Sequence, residues 1–178
     1  MSYQPVNQKH IQLEYLRLAL SEAGKCIPTP TAFCVGCVLV VCFTGKMPSI
    51  LSTGFSRELP GNTHAEANAL TKARQLSQEE LRSLLPLDAP SDLTIDDILK
   101  CTDVYTTLEP CSIRTSGLPP CADALIASKV KRCFIGVGEP DDFVQCEGAK
   151  RLQEAGIEVV WLKDLEEQCL SVARRCHD

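Results

Sequence analysis

Histidine is scarce in this chain, with three copies in 178 residues, at positions 10, 64 and 177. A metal site built on any one of them therefore needs ligands of another kind. There is no surplus of positive charge either: 18 Lys and Arg against 23 Asp and Glu give a net charge of −5 and a pI near 5.3. Without a broad basic surface, a long nucleic-acid backbone is excluded as the main partner, although a local Arg or Lys pocket is not. A small molecule fits better. Long apolar runs are missing too. The first ten residues, MSYQPVNQKH, lack an apolar signal region, and no stretch approaches the roughly 18 uninterrupted apolar residues of a membrane span. The expectation is a protein of the cytoplasm, with the nucleus as a second location and no membrane partner. Internal repeats and low-complexity segments are also absent.

Cysteine, by contrast, is abundant, with eleven copies. In a short secreted chain this would suggest a disulfide framework. With no signal region, an odd count and enough chain for a sizeable core, thiols are expected instead, some buried and some bound to metal. The 44% apolar and 23% charged residues are those of a globular protein. One domain is expected over residues 1–178.

Periodicity alternates between helix and strand along the chain. Residues 9–23, KHIQLEYLRLALSEA, place Ile11, Tyr15 and Leu18 at helical steps before Gly24 offers a stop. FCVGCVLVVCF and SILSTGFS are β-rich runs separated by TGKMP, a hairpin signal, and a second helix starts near His64 and runs to about Leu76. Residues 77–100 are irregular, with LPLDAPSD between the short helical pieces QEELRSLL and IDDILK, and read as an insertion rather than a second domain. DVYTTL, RCFIGVG and IEVVWL then read as strands, with CADALIAS, GAKRLQEAG and LEEQCLSVARRC as the helices between and after them. Strands separated by helices of this length imply parallel pairing through right-handed crossovers. The expected class is α/β, a three-layer α/β/α sandwich on a mixed five-stranded sheet.

The chemistry gathers in two stretches. NTHAEANAL, residues 62–70, puts His64 and Glu66 two positions apart at the head of a helix. TTLEPCSIRTSGLPPCADALI, residues 106–126, puts Cys111 at the close of a strand and Cys121 at the opening of a helix, with Pro119 and Pro120 in positions that suit a first helical turn. A helix N-terminus favours a thiolate at Cys121. One imidazole and two thiolates make three zinc-type ligands with a fourth position open, which distinguishes a catalytic zinc from a structural one. Such a zinc brings the pKa of a bound water toward neutrality. Glu66, offset by two from His64, is better cast as a proton carrier than as a ligand. Together these parts suit hydrolytic deamination, in which hydroxide adds to an amino-bearing ring carbon and the glutamate moves the protons that release ammonia.

These motifs resemble the zinc-dependent cytidine deaminase superfamily, whose pattern is H-x-E followed by P-C and a second Cys. The nine residues between Cys111 and Cys121 exceed the shorter P-C-x-x-C form, and LEPCS, PPCADALI, GEPDDFV, AGIEV and VGCVLV are similar instead to the riboflavin-pathway pyrimidine deaminases. The resemblance covers residues 10–162. It implies the cytidine deaminase-like fold, one Zn2+ per chain on His64, Cys111 and Cys121, Glu66 as the catalytic acid/base, and a homodimer. Three departures point toward the fungal form of the pathway. Ala32 and Phe33 stand where bacterial members carry Asn-Pro, SIRTSGL replaces a loop with histidines and Gly-Arg-Thr, and no reductase domain follows Asp178. The implied substrate is 2,5-diamino-6-ribitylamino-4(3H)-pyrimidinone 5′-phosphate, deaminated at C2. The alternatives are a nucleoside, nucleotide or tRNA-base deaminase, the last requiring a basic face, and a non-catalytic module in which zinc is structural.

Each signal has a plainer reading. Cys34 and Cys37 of CVGC invite a redox or zinc role, but in a period-two strand they point to opposite faces and read as buried core thiols. Cys26, Cys42, Cys101, Cys133, Cys146, Cys169 and Cys176 read as bystanders, and His10 and His177 as inert. Arg114 has the chemistry to clamp a phosphate bidentately or to be a solvated surface arginine. Asn62 either bonds the substrate or caps the helix. Ser112 and Thr115 are weaker substrate candidates on the same loop.

Overall fold

The computed structural model describes residues 5–87, 89–90, 92–114, 116–140 and 146–175. Among these, five strands form one mixed sheet in the order β2-β1-β3-β4-β5, with β1 Gly36–Val41, β2 Ser49–Phe55, β3 Thr102–Leu108, β4 Arg132–Val137 and β5 Glu158–Trp161. β1 pairs antiparallel with β2 and with β3, whereas β3, β4 and β5 run parallel. The hairpin and the parallel half both agree with the sequence pattern. All residues of β1 and β3 are buried, as befits central strands covered on both faces, while edge strands β2 and β5 keep partly exposed positions.

Seven α-helices complete the three layers: α1 Pro5–Gly24, α2 Ala65–Gln75, α3 Gln78–Leu84, α4 Ile95–Leu99, α5 Cys121–Ala127, α6 Gly148–Glu154 and α7 Glu166–Ala173. α1 and α7 pack on one face of the sheet, α2 and α6 on the other, and α5 bridges α2 and α6. α1 begins four residues before its sequence pattern does, with Pro5 at a first helical position, where its missing amide costs nothing. Leu16, Val38, Val40, Val104, Leu125, Phe134, Ile135 and Leu152 are fully buried between the layers. Each such side chain contributes roughly 1.5–3 kcal/mol relative to exposure.

The irregular 77–100 segment joins this core. α3 and α4 each open with a reciprocal capping box, Ser77 with Glu80 and Thr94 with Asp97, and Leu81, Leu85, Ile98 and Leu99 are buried within the same apolar cluster. Cys34 and Cys37 are both buried, consistent with core thiols. His10 is exposed, 3.8 Å from Glu14, and Cys176 and His177 lie outside the described residues.

Candidate active site

α2 delivers His64 because the strand before it makes room. A Cβ on Gly54 would lie 2.3 Å from the Ala65 carbonyl oxygen, so only glycine lets the helix settle on β2 at this point. His64 is the N-cap residue, with φ −97° and ψ 154° and no side-chain capping bond, which leaves its ring available. Asn62 is therefore not the cap. The approach to His64 is fixed by Asn68, a buried amide inside the helix whose Nδ2 donates to the Phe55 carbonyl at 2.8 Å and to Thr63 Oγ1 at 3.0 Å.

The two cysteines come from the other end of β3. Cys111 sits three residues past that strand rather than closing it, and Cys121 is the first residue of α5. Pro120 is the N-cap, with φ −56° and ψ 151°, so the prolines precede the first helical turn instead of lying within it. His64 Nδ1 lies 3.4 Å from Cys111 Sγ and 3.5 Å from Cys121 Sγ, although the residues are 47 and 57 positions apart in sequence. The Cys121 amide, unpaired within its own helix, donates to Cys111 Sγ at 3.3 Å.

This donor set fits zinc. Tetrahedral zinc, with about 2.3 Å to sulfur and about 2.0–2.1 Å to imidazole nitrogen, holds sulfur and nitrogen about 3.5 Å apart. Among the described residues no fourth His, Cys, Asp or Glu joins the three. The electrostatics agree. The Cys121 thiol donating to Cys111, helped by His64 and by the Cys121 amide, pulls the Cys111 thiol down to about 4 despite its burial. Cys121 is pushed up, first by that same bond and then by burial. A dication at this point favours both thiolates.

Glu66 is 3% exposed, on the first turn of α2. Burial raises its pKa, and the Cys111 thiolate adds to the rise. A bound cation would oppose that shift. The Thr106 hydroxyl lies 3.2 Å from Glu66 Oε1 and 3.0 Å from the Leu108 carbonyl oxygen. With a single proton it can serve only one of these acceptors at a time, and a protonated Glu66 can donate to it in return.

Above these groups opens a cavity of about 280 Å³, a volume suited to a small ligand. Asn62, His64, Glu66, Cys111 and Arg114 line it. Arg114 reaches across to donate to the Asn62 carbonyl at 2.7 Å. Ser112 does not line it: its buried hydroxyl accepts from the Glu147 amide at 3.1 Å, and its carbonyl accepts from Arg151 at 2.7 Å. The candidate substrate contact is thus spent on anchoring the start of α6. Thr115 lies outside the described residues.

Among the other lining residues are Phe33, Glu109 and Glu139, which lie in stretches the sequence marked without giving them a role, and Arg57, which it did not mark. Glu109 accepts from the Ala149 amide at 2.8 Å, and burial pushes Glu139 up. Glu109 belongs to the LEPCS motif, a signal that could have marked it, while Arg57 carries no motif at all.

The model of the cytidine and deoxycytidylate deaminase zinc-binding region matches residues 9–137, most of the chain and all three candidate ligands. The chain belongs to this zinc-dependent deaminase family. Among curated relatives, the chain is 42% identical over 164 residues to the diaminohydroxyphosphoribosylamino-pyrimidine deaminase of Schizosaccharomyces pombe, covering 92% of this chain and 35% of that one. It is 33% identical over 150 residues to the riboflavin biosynthesis protein RibD of Actinobacillus pleuropneumoniae, covering 83% and 32%. The chain thus spans about a third of the length of these relatives. Among solved structures, the Aspergillus oryzae Rib2 deaminase, a C-terminal deletion mutant at pH 6.5, superposes with a TM-score of 0.74 at 32% identity, covering 94% of this chain and 92% of that one. The same enzyme in complex with DARIPP superposes with a TM-score of 0.73 at 31% identity and the same coverage.

Proposed function

We propose that the chain is a zinc-dependent hydrolytic deaminase of riboflavin biosynthesis. It converts 2,5-diamino-6-ribitylamino-4(3H)-pyrimidinone 5′-phosphate and water into 5-amino-6-ribitylaminouracil 5′-phosphate and ammonia. The observation that carries this reading is a buried carboxylate, Glu66, beside three converging metal donors in a cavity of about 280 Å³. His64, Cys111 and Cys121 would hold the zinc, which when bound acidifies a water and acts as a Lewis acid at the reacting centre.

The chain's own residues then carry the proton traffic. Glu66 takes a proton from water and passes it to the ring nitrogen as the hydroxyl adds at C2. It then takes the proton of the new hydroxyl and passes it to the exocyclic nitrogen, so that the C2 carbonyl forms, the C–N bond breaks and neutral ammonia leaves. Thr106 orients the Glu66 carboxylate through the 3.2 Å contact. Arg114 spends one Nη2 N–H on Asn62, which leaves further Nη donors for the phosphate. Asn62 and Thr115 are further substrate contacts in this reading.

Kinship with the fungal rather than the bacterial proteins is supported by the higher identity to the Schizosaccharomyces relative, 42% against 33% and 35% for two RibD proteins. The complex of the Aspergillus enzyme with DARIPP supports a phosphorylated pyrimidine as substrate. A single deaminase domain is supported by the one core that includes residues of the 77–100 segment. No described helix is long and apolar enough to cross a membrane. The homodimer in this reading comes from the family resemblance, and the cytoplasmic location from the sequence pattern.

The test is ammonia release from the ribityl and ribosyl diaminopyrimidine phosphates alongside cytidine, CMP and dCMP. The ribityl form is expected to be fastest. Preference for the ribosyl form would place the enzyme in the bacterial reaction order, and turnover confined to cytidine or its nucleotides would overturn the pathway assignment.

A further inference from the structure

Arg57 lines the cavity, yet its guanidinium is turned into the protein. Its Nη atoms donate to the Phe33 carbonyl at 3.2 Å and to the Ile27 carbonyl at 2.9 Å, with Cys34 Sγ 3.6 Å away. These acceptors bracket segment 27–34, which carries Thr31, Ala32 and Phe33 onto the cavity wall. The backbone of Arg57 is engaged as well. Its φ is +63°, in the left-handed region, and its amide donates to the Thr63 carbonyl at 2.7 Å, one residue before His64. A long side chain on a left-handed backbone is uncommon and persists where its surroundings over-determine it.

The wall segment is short of order of its own. Between α1 and β1 it has one isolated bridge, Thr29 to Ala32, and is otherwise tied down by groups from elsewhere. Arg175 holds the approach through the Ala23, Gly24 and Cys26 carbonyls, and the Cys34 amide donates to Ala173. Arg57 joins the segment to the His64 side of the cavity, its side chain bonding Ile27 and Phe33 and its backbone amide bonding Thr63. A planar guanidinium suits this task because it reaches several carbonyls in one fixed geometry, which a lysine ammonium does not.

We propose that Arg57 is a positioning residue for the substrate, registering the 27–34 wall against the metal ligand His64 so that the cavity is preformed. The inference rests on the deaminase reading, because the wall serves a substrate only if the cavity binds one. Fixing the wall in advance removes an ordering cost from binding, so the effect belongs mainly in KM.

Arg57→Gly isolates the guanidinium, because glycine accepts the left-handed backbone and keeps the amide bond to Thr63. The expected result is unchanged zinc content, KM for the ribityl phosphate about tenfold higher, kcat within about threefold of wild type, and faster amide exchange confined to residues 27–34. Arg57→Lys should restore KM incompletely, and added methylguanidinium should lower the KM of Arg57→Gly. Wild-type KM in a folded, zinc-loaded Arg57→Gly would overturn the proposal, as would loss of zinc and kcat with KM unchanged. If the glycine variant does not fold, Arg57→Lys is judged by the same KM, kcat and zinc criteria. If the wild-type protein releases no ammonia from any pyrimidine, the deaminase reading fails separately. Exchange then decides: wild-type protection of 27–34 in Arg57→Gly overturns the positioning role, and deprotection confined to that segment upholds it.

Discussion

β3 crosses the centre of the sheet with a cluster of buried polar groups near each end, and the two clusters treat the same residue types in opposite ways. At the start of the strand Asp103, 1% exposed, accepts from Arg132 Nε at 2.9 Å and from Cys42 Sγ at 3.3 Å. The Arg132 guanidinium also lies over the Phe134 ring, 5.1 Å from its centroid. Burial and the Asp103 charge push the Cys42 thiol up to about 12, so it stays a neutral donor. Beyond the other end, Cys111 is pulled down to about 4, and its neighbours Cys121 and His64 leave room for a cation at their centre. The first cluster satisfies its charges internally and stabilises the fold. The second holds donors that only a bound metal completes.

The hardest test of that contrast is removal of a metal ligand. Cys121→Ala is expected to lose zinc and to bring turnover to background while the protein remains folded. Full zinc content by metal analysis in the folded variant would remove Cys121 from the site.

Next in size is Glu66→Gln, which should keep zinc and fold but lower kcat by about 10²- to 10⁴-fold, since an amide cannot carry the proton. A near wild-type kcat with intact metal would sink the acid/base role.

At the opposite end, Asp103→Ala should behave in the reverse manner. Leaving Arg132 without its partner should cost about 3 kcal/mol of stability in denaturant unfolding, the low end for breaking a buried pair because the arginine side chain keeps 21% exposure. Turnover per folded molecule should stay within about twofold of wild type, as the site lies beyond the far end of the strand. Lost activity at unchanged stability would mean that the two ends are coupled and the comparison is wrong.

The smallest expected change is in Arg114→Ala, with KM for the phosphorylated substrate raised about tenfold and little effect on a dephosphorylated analogue. Equal losses on both would show that Arg114 holds the loop through Asn62 rather than the phosphate.

The sequence by itself determined the order and type of the elements, because periodicity and turn residues act over a few neighbours. It also marked the three candidate metal ligands and Glu66, whose residue types and motif spacing are local signals even when their meeting is not. What the motif could not state is that His64 Nδ1 comes within 3.5 Å of two sulfurs that are 47 and 57 residues away. That follows from the antiparallel pairing of β1 with β3 and from the seat that Gly54 gives α2. Tertiary structure alone decided the direction of the remaining side chains. Ser112 looked like a pocket residue by position and instead anchors α6, whereas Arg57, which no sequence signal marked, stitches two walls together. The physical reason is common to both: a hydroxyl or guanidinium takes whichever carbonyls and amides the fold brings within about 3 Å, and those partners lie far away in the chain.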